Sequence, residues 1–367
     1  MTAEQPLVLM MAGGTGGHVY PALAVATELL ERGYRVEWVG TARGLEARVV
    51  PAAGITLHCL AVRGVRGKNP LWKILALLAL VVAAMQALWL VYRLAPSCVI
   101  GLGGYVAGPA GIAAWLLRKP LIIHEQNAVA GTTNRMLAPF AAKVLAGFPG
   151  AFASDIEVVT VGNPVRLALV EAGAENTFSY TGQRPLRLLV LGGSLGAKPI
   201  NDLLPGLVRE LFKAESDGAI EVRHQCGEAH AELVRESYGS LLCDGIQVFP
   251  FIEDMAGAYR WADLVLCRAG ALTVSELAIM GRPSILVPLP HAIDDHQTYN
   301  ARSLSDRGAA ILLRQAQMSS ETLLKTLRGY LAYPQRLVSM AEAAAAAAIP
   351  EAANLVCNSC EELIHGH

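Results

Sequence analysis

A plan that occurs twice constrains this chain most: an apolar run, a glycine-rich turn, then a helical pattern. Residues 7–11 run into Gly13-Gly14-Thr15-Gly16-Gly17-His18, followed by a helical pattern over 19–32 that Gly33 ends. Residues 186–191 run into Gly192-Gly193-Ser194-Leu195-Gly196-Ala197 and a second helical pattern. A strand apolar on both faces belongs in a parallel sheet, where helical crossovers cover it on both sides. Further runs of this kind stand at 34–39, 55–60, 98–102, 121–124, 143–146 and 158–161. After 186–191 they recur at 220–225, 246–249, 264–267, 284–287 and 310–313. The fold class expected is therefore α/β, with two doubly wound parallel-sheet domains. A chain of 367 residues exceeds one ordinary core. Gly162-Asn163-Pro164 marks the joint, giving domains at 1–162 and 163–339, with a terminal helix at about 340–367 packing back on either domain.

Composition adds a surface question. Hydrophobic residues make up 53% and charged residues 17%, and the mean hydropathy is +0.39. That is apolar for a soluble chain and points to a bilayer or a large partner surface. The formal net charge of -1 gives no support to a nucleic-acid partner. Residues 71–92 approach the length of a spanning helix. Lys73, Gln86 and a position between two strands of one domain oppose a span, leaving a buried or half-exposed helix or one lying on the bilayer. Seven scattered cysteines suit a reducing compartment, and the N-terminus lacks a signal-peptide pattern, so a cytoplasmic location is expected. Cys357, Cys360, His365 and His367 have the chemistry of a zinc set, or are two thiols one turn apart and a tail.

Open parallel sheets bind ligands beyond the carboxyl ends of their strands, so the residues there are the candidate site. The first glycine turn brings backbone N–H groups and a helix N-terminus to an anion or sugar, or is a plain tight turn. It lacks the full dinucleotide fingerprint, and residues 39–41 offer no ribose-binding acid. His18 is either a base for a hydroxyl nucleophile or a histidine that orients the loop. Gly103-Gly104-Tyr105 repeats the device. His124-Glu125-Gln126-Asn127 puts four polar groups at a buried strand's exit, costly unless they pair or face a ligand. Glu125 is read there as a base or as a loop anchor. In the second half the turn at 192–197 suits a diphosphate. Glu276, one turn into the helix after Arg268-Ala269-Gly270, suits the two hydroxyls of a ribose, or is an acid favoured by the helix dipole. His291, Asp294, Asp295 and His296 raise a metal as a lesser reading beside sugar hydroxyls.

The strings GGTGGHVYPALA, GGYVAGP, HEQNAVAGTTNR, GNPVR, GGSLGAKPIN, RAGALTVSELA and DDHQTYNA, in this order over nearly the whole chain, resemble the MurG family. These are the cell-wall UDP-N-acetylglucosamine transferases that complete lipid II. The resemblance implies a GT-B type fold, two Rossmann-like domains facing across a cleft. It implies inverting transfer of GlcNAc from UDP-GlcNAc to the 4-hydroxyl of the MurNAc of lipid I, with no obligatory cofactor or metal. By similarity Ile252 meets uracil through its backbone, Glu276 holds the ribose, and Ser194 with Ala271, Leu272, Thr273, Val274 and Ser275 meets the diphosphate. Gln297 binds the donor sugar, Arg166 and Asn127 fall on donor positions, and Thr15, Gly16 and Gly17 close over the donor. His18 is the favoured catalytic group, with Glu125 behind it. The chain departs at Leu195, where many relatives carry glutamine, which bears on one phosphate contact. The resemblance also implies peripheral docking on an anionic phospholipid surface, the cytoplasmic face of the bacterial inner membrane. Ile74, Leu75, Leu78 and Trp115 would form the apolar patch and Arg63, Arg66, Lys68 and Lys73 its basic rim.

Overall fold

A computed structural model describes residues 5–61, 70–193, 195–214, 219–290 and 292–366. The chain divides into two compact units, residues 1–166 together with 350–367, and residues 167–349.

The first unit runs β1 (Leu7–Ala12), α1 (Gly16–Glu31), β2 (Arg35–Gly40), α2 (Glu46–Ala52), β3 (Thr56–Cys59), α3 (Pro70–Leu94), β4 (Cys98–Gly103), α4 (Ala107–Leu116), β5 (Leu121–Glu125), α5 (Thr132–Leu137), β6 (Lys143–Ala146) and β7 (Val159–Thr160). Its seven strands are parallel, in the order β3-β2-β1-β4-β5-β6-β7. Strand residues alternate between two cores. Val8, Met10, Ile100 and Leu102 pack with α1, while Leu9, Met11, Val99 and Ile123 pack against α3 and α4. This two-faced burial is why the strands read as unbroken apolar runs.

The second unit runs α6 (Leu167–Ala174), β8 (Leu186–Leu191), α7 (Lys198–Ala214), β9 (Ile220–Gln225), α8 (Ala231–Tyr238), β10 (Ile246–Phe249), α9 (Met255–Trp261), β11 (Leu264–Cys267), α10 (Ala271–Ile279), β12 (Ser284–Leu286), α11 (His296–Ser305), β13 (Ala310–Leu312), α12 (Ser320–Ala332) and α13 (Gln335–Ala346). Its six strands are parallel, in the order β10-β9-β8-β11-β12-β13. Helix α7 buries Ile200, Leu204, Leu207, Val208 and Leu211, one stripe at helical spacing. Full burial of each such side chain contributes about 1.5–3 kcal/mol.

The terminal segment differs from a single helix over 340–367. Pro350 interrupts it, so α13 stays with the second unit and α14 (Ala352–His365) belongs to the first. Val356, Cys357 and Cys360 enter the core beside α1. Arg32 clasps α14 through Asn354, Asn358 and Glu361. Cys357 and Cys360 are thus core thiols. Burial pushes the Cys357 thiol up, and a hydrogen bond with Cys98 followed by burial does the same for Cys360. The His365 ring meets the Tyr34 hydroxyl at 2.9 Å, and His367 lies outside the described residues.

The described side chains of helix α3 are apolar on its buried side and mostly apolar on its exposed side. Ala83, Ala87, Leu90 and Val91 are buried, whereas Leu80, Val81, Val82, Met85, Trp89 and Tyr92 are exposed. Among the described residues no helix is long and apolar enough to cross a membrane.

Candidate active site

In both sheets the strand order reverses beside the first strand of the unit, between β1 and β4 and between β8 and β11. The crevice outside the carboxyl ends of those two strands is where an open sheet takes its ligand. The glycine turns of the sequence stand at these two places.

At the first, Gly13 to Thr15 link β1 to α1, whose first turn holds Gly16, Gly17 and His18 and no acid. The Thr15 side chain does not cap its own helix, so the first-turn amides donate no hydrogen bond to it. Thr15 and Gly17 are exposed, and Gly16 and His18 half-buried. The turn after β4 lies directly against this loop. Gly104 has φ +86°, and a Cβ there would collide with the carbonyl of Gly13. Only glycine permits that approach.

A residue the sequence did not single out holds the loop. Glu46, at the start of α2, is fully buried. It accepts the Gly14 N–H at 3.0 Å with one oxygen, and the Thr41 N–H at 3.0 Å and hydroxyl at 2.7 Å with the other. Its sequence signal is slight, an acid opening a short helical pattern.

The polar cluster at the end of β5 is tied into a hydrogen-bond network. His124 and Gln126 are buried, and the His18 Nδ1 lies 2.8 Å from the Gln126 Oε1. The Gln126 Nε2 lies 3.0 Å from His124 Nδ1 and 3.0 Å from the His124 carbonyl, and His124 Nε2 lies 2.8 Å from the Gly162 carbonyl. Burial pulls the His124 imidazole below its usual value. Glu125 is 1% exposed and takes four donors: the N–H groups of Asn127 and Gly131 and the side-chain amides of Asn127 and Asn134. The sequence leaves Glu125 as a base or as a loop anchor; these four donors engage both of its oxygens and tie it to the loop. Asn127 sits half-buried on this anchor. Arg166 is exposed, with its guanidinium 5.8 Å from the Tyr20 ring centre.

In the second unit, Gly196 (φ +77°) lies so close to the Cys226 carbonyl that a Cβ would collide with it. That close packing shapes the turn between β8 and α7. Leu195 is 86% exposed, and Ser194 lies outside the described residues. Helix α10 begins after Gly270. Ala271 and Val274 are buried, so they can meet a ligand only through backbone, whereas Leu272, Thr273, Ser275 and Glu276 are half-buried. Tyr259, from α9, donates its hydroxyl to Glu276 Oε2 at 3.0 Å. Ile252 is half-buried just beyond β10.

A cavity of about 620 Å³ lies beside these turns, lined by Gly196, Lys198, Arg268, Leu289, Gln297 and Gln315 among others. That volume suits a small organic ligand. The Gln297 side-chain oxygen accepts the Leu289 N–H at 3.0 Å. Arg268 donates to Gln315 at 2.7 Å and to the Val287 and Pro288 carbonyls, and burial pulls its guanidinium below the usual value. Gln315 escaped the sequence reading although it follows β13, a strand end like the others. Asp294 and Asp295 both have positive φ, 53° and 51°, an uncommon conformation outside glycine that turns the chain into α11. Asp295 takes the Thr298 hydroxyl at 2.7 Å, and His291 lies outside the described residues. Among the described residues no three His, Cys, Asp or Glu side chains gather as a metal site.

Residues 8–146 match the Glycosyltransferase family 28 N-terminal domain and residues 187–356 its C-terminal domain. Over 366 residues, covering 100% of both chains, the protein is 51% identical to the UDP-N-acetylglucosamine--N-acetylmuramyl-(pentapeptide) pyrophosphoryl-undecaprenol N-acetylglucosamine transferase of Pseudomonas putida (strain W619). The chain belongs to the MurG family. The crystal structure of Acinetobacter baumannii MurG is 40% identical, with a TM-score of 0.80 over 97% of this chain and 99% of that one. A UDP-GlcNAc 2-epimerase from Neisseria meningitidis shares the fold alone, at 13% identity and a TM-score of 0.66 over 97% of this chain and 99% of that one. As a MurG-family member, the protein is a glycosyltransferase with two Rossmann-like parallel-sheet domains.

Proposed function

We propose that this protein moves GlcNAc from UDP-GlcNAc to the 4-hydroxyl of the MurNAc of lipid I, forming lipid II with inversion at the anomeric carbon. The observation that carries this reading is the full-length likeness to a transferase whose name states both the sugar donor and the lipid-linked acceptor. The donor binds the second unit. Glu276 holds the ribose, the Ile252 backbone meets the uracil, and the turn at 192–197 with the first turn of α10 takes the diphosphate. Gln297 binds the sugar. Backbone amides and arginine side chains, Arg166 and Arg268 among them, stabilise the charge growing on UDP, so no metal is obligatory. His18 takes the proton of the attacking hydroxyl.

The first unit also docks on an anionic phospholipid surface, the cytoplasmic face of the inner membrane. The side chains of Ile74, Leu75 and Leu78, assigned to this contact from the sequence, lie outside the described residues, as do Arg63, Arg66 and Lys68. What supports docking is the exposed remainder of α3, together with Trp115 and Leu116 on α4, which packs against α3. Arg93 stands over the Trp89 ring at 4.5 Å, placing a cation beside that face.

Product analysis tests the reading. The purified chain, given UDP-GlcNAc and lipid I, should yield lipid II in the presence of EDTA. UDP-ManNAc, or ManNAc and UDP after hydrolysis by water, without lipid II would mark an epimerase instead.

A further inference from the structure

We infer that Gln126 and His124 are positioning residues that lock His18 in the Nδ1–H tautomer, leaving its Nε2 bare to take the acceptor's proton. The inference rests on His18 being the base.

The lock is read link by link from a fixed end. A backbone carbonyl only accepts, so the 2.8 Å contact between Gly162 O and His124 Nε2 requires the proton on that nitrogen. His124 is fully buried, and desolvation disfavours its charged form, so its Nδ1 carries a lone pair. The Gln126 amide must then point its NH2 group at that lone pair, 3.0 Å away. The same NH2 donates to the His124 carbonyl at 3.0 Å. Turned over, the amide would set its oxygen against two acceptors, so its orientation is doubly determined. Asn163 also holds the segment by donating to the Gln126 carbonyl at 3.0 Å.

The Gln126 Oε1 therefore faces His18 Nδ1 at 2.8 Å and can only accept. His18 must supply the proton from Nδ1, and its Nε2 is left unprotonated. No described residue makes a hydrogen bond to that nitrogen. A free imidazole favours the opposite tautomer, with the proton on Nε2, which leaves that nitrogen no lone pair to take a proton. Two fully buried side chains thus hold a half-buried histidine in the reactive form.

The proton balance follows. The acceptor hydroxyl oxygen bonds to the anomeric carbon while the carbon–oxygen bond to UDP breaks, and its electron pair leaves with UDP. The hydroxyl proton passes to His18 Nε2. The resulting imidazolium still donates from Nδ1 to Gln126, so the relay holds the ring in place through the step.

The experiment is two-bond ¹⁵N–¹H correlation spectroscopy of the full chain labelled at histidine, with the His18 signals identified by their loss in His18→Gln. The expected spectrum shows His18 protonated at Nδ1 and bare at Nε2, and His124 the reverse. In Gln126→Leu the His18 ring should shift toward the Nε2–H form. Its kcat should fall about tenfold or more while KM for UDP-GlcNAc stays within about twofold. A wild-type His18 protonated at Nε2 overturns the inference, with no need for a variant to fold. So does a Gln126→Leu protein whose tautomer and kcat match wild type. The base assignment fails separately: unchanged turnover in His18→Ala removes it whatever the tautomer.

Discussion

Glu46 Oε2 accepts the backbone N–H of Gly14 at 3.0 Å, tying a fully buried carboxylate on α2 to the glycine turn that opens α1. With its other oxygen on Thr41, it couples the ends of β1 and β2. Replacing it by Ala removes three hydrogen bonds from part-buried donors, each worth about 0.5–1.5 kcal/mol. Glu46→Ala should therefore lower the thermal unfolding midpoint and loosen the Gly13–Thr15 turn, seen as faster amide exchange at Gly14. An unchanged midpoint would deny Glu46 this role.

Glu276 sits half-buried on α10, oriented by the Tyr259 hydroxyl at 3.0 Å. A hydrogen bond to a charged group is worth about 1.5–3 kcal/mol. Glu276→Ala should weaken UDP-GlcNAc binding by about 10- to 100-fold, measured by calorimetry. A donor lacking the ribose hydroxyls should lose a similar factor in the wild type and little more in the variant. Additive losses would place the ribose elsewhere.

His224, buried between Asn201 and the Tyr238 hydroxyl, is pulled by desolvation from 6.5 to about 4. A depressed value means the unfolded chain binds the proton first. The stability this group contributes is full above about pH 6.5 and is lost as the pH falls toward 4, to a limit of about 3 kcal/mol. Unfolding midpoints should drop across that window, and His224→Gln should flatten the slope. His124, also buried and shifted downward, adds a further part of the same sign.

The exposed side of α3 should carry vesicle binding. Met85→Glu together with Trp89→Glu removes two large apolar groups, 63% and 59% exposed, and adds negative charge. Flotation with vesicles containing anionic phospholipid should fall sharply, while the far-UV spectrum holds. Equal flotation would move the docking surface off this helix.

The strands were legible because both faces of each are covered, as the alternation of Val8 and Met10 with Leu9 and Met11 between two cores makes plain. The break between α13 and α14 was signalled by Pro350, whose effect an alanine-rich helical pattern obscured. In the candidate site, the strand-end rule pointed to His18, the 124–127 cluster and Glu276. It could not assign Glu125, because whether a carboxylate is a base or an anchor depends on its four donors, two of them on Gly131 and Asn134. Nor could it see the relay through Gln126, which is fixed by a carbonyl 38 residues from His124. Glu46 was missed for a similar reason: its burial comes from a turn 32 residues away.

The central claim is that His18 takes the acceptor's proton in a transfer from UDP-GlcNAc to lipid I. The most direct measurement is steady-state transfer by His18→Ala beside the Kd for UDP-GlcNAc of the same protein. The account predicts a kcat lower by about 100-fold or more with a Kd within about twofold of wild type. Wild-type turnover in that variant would contradict it.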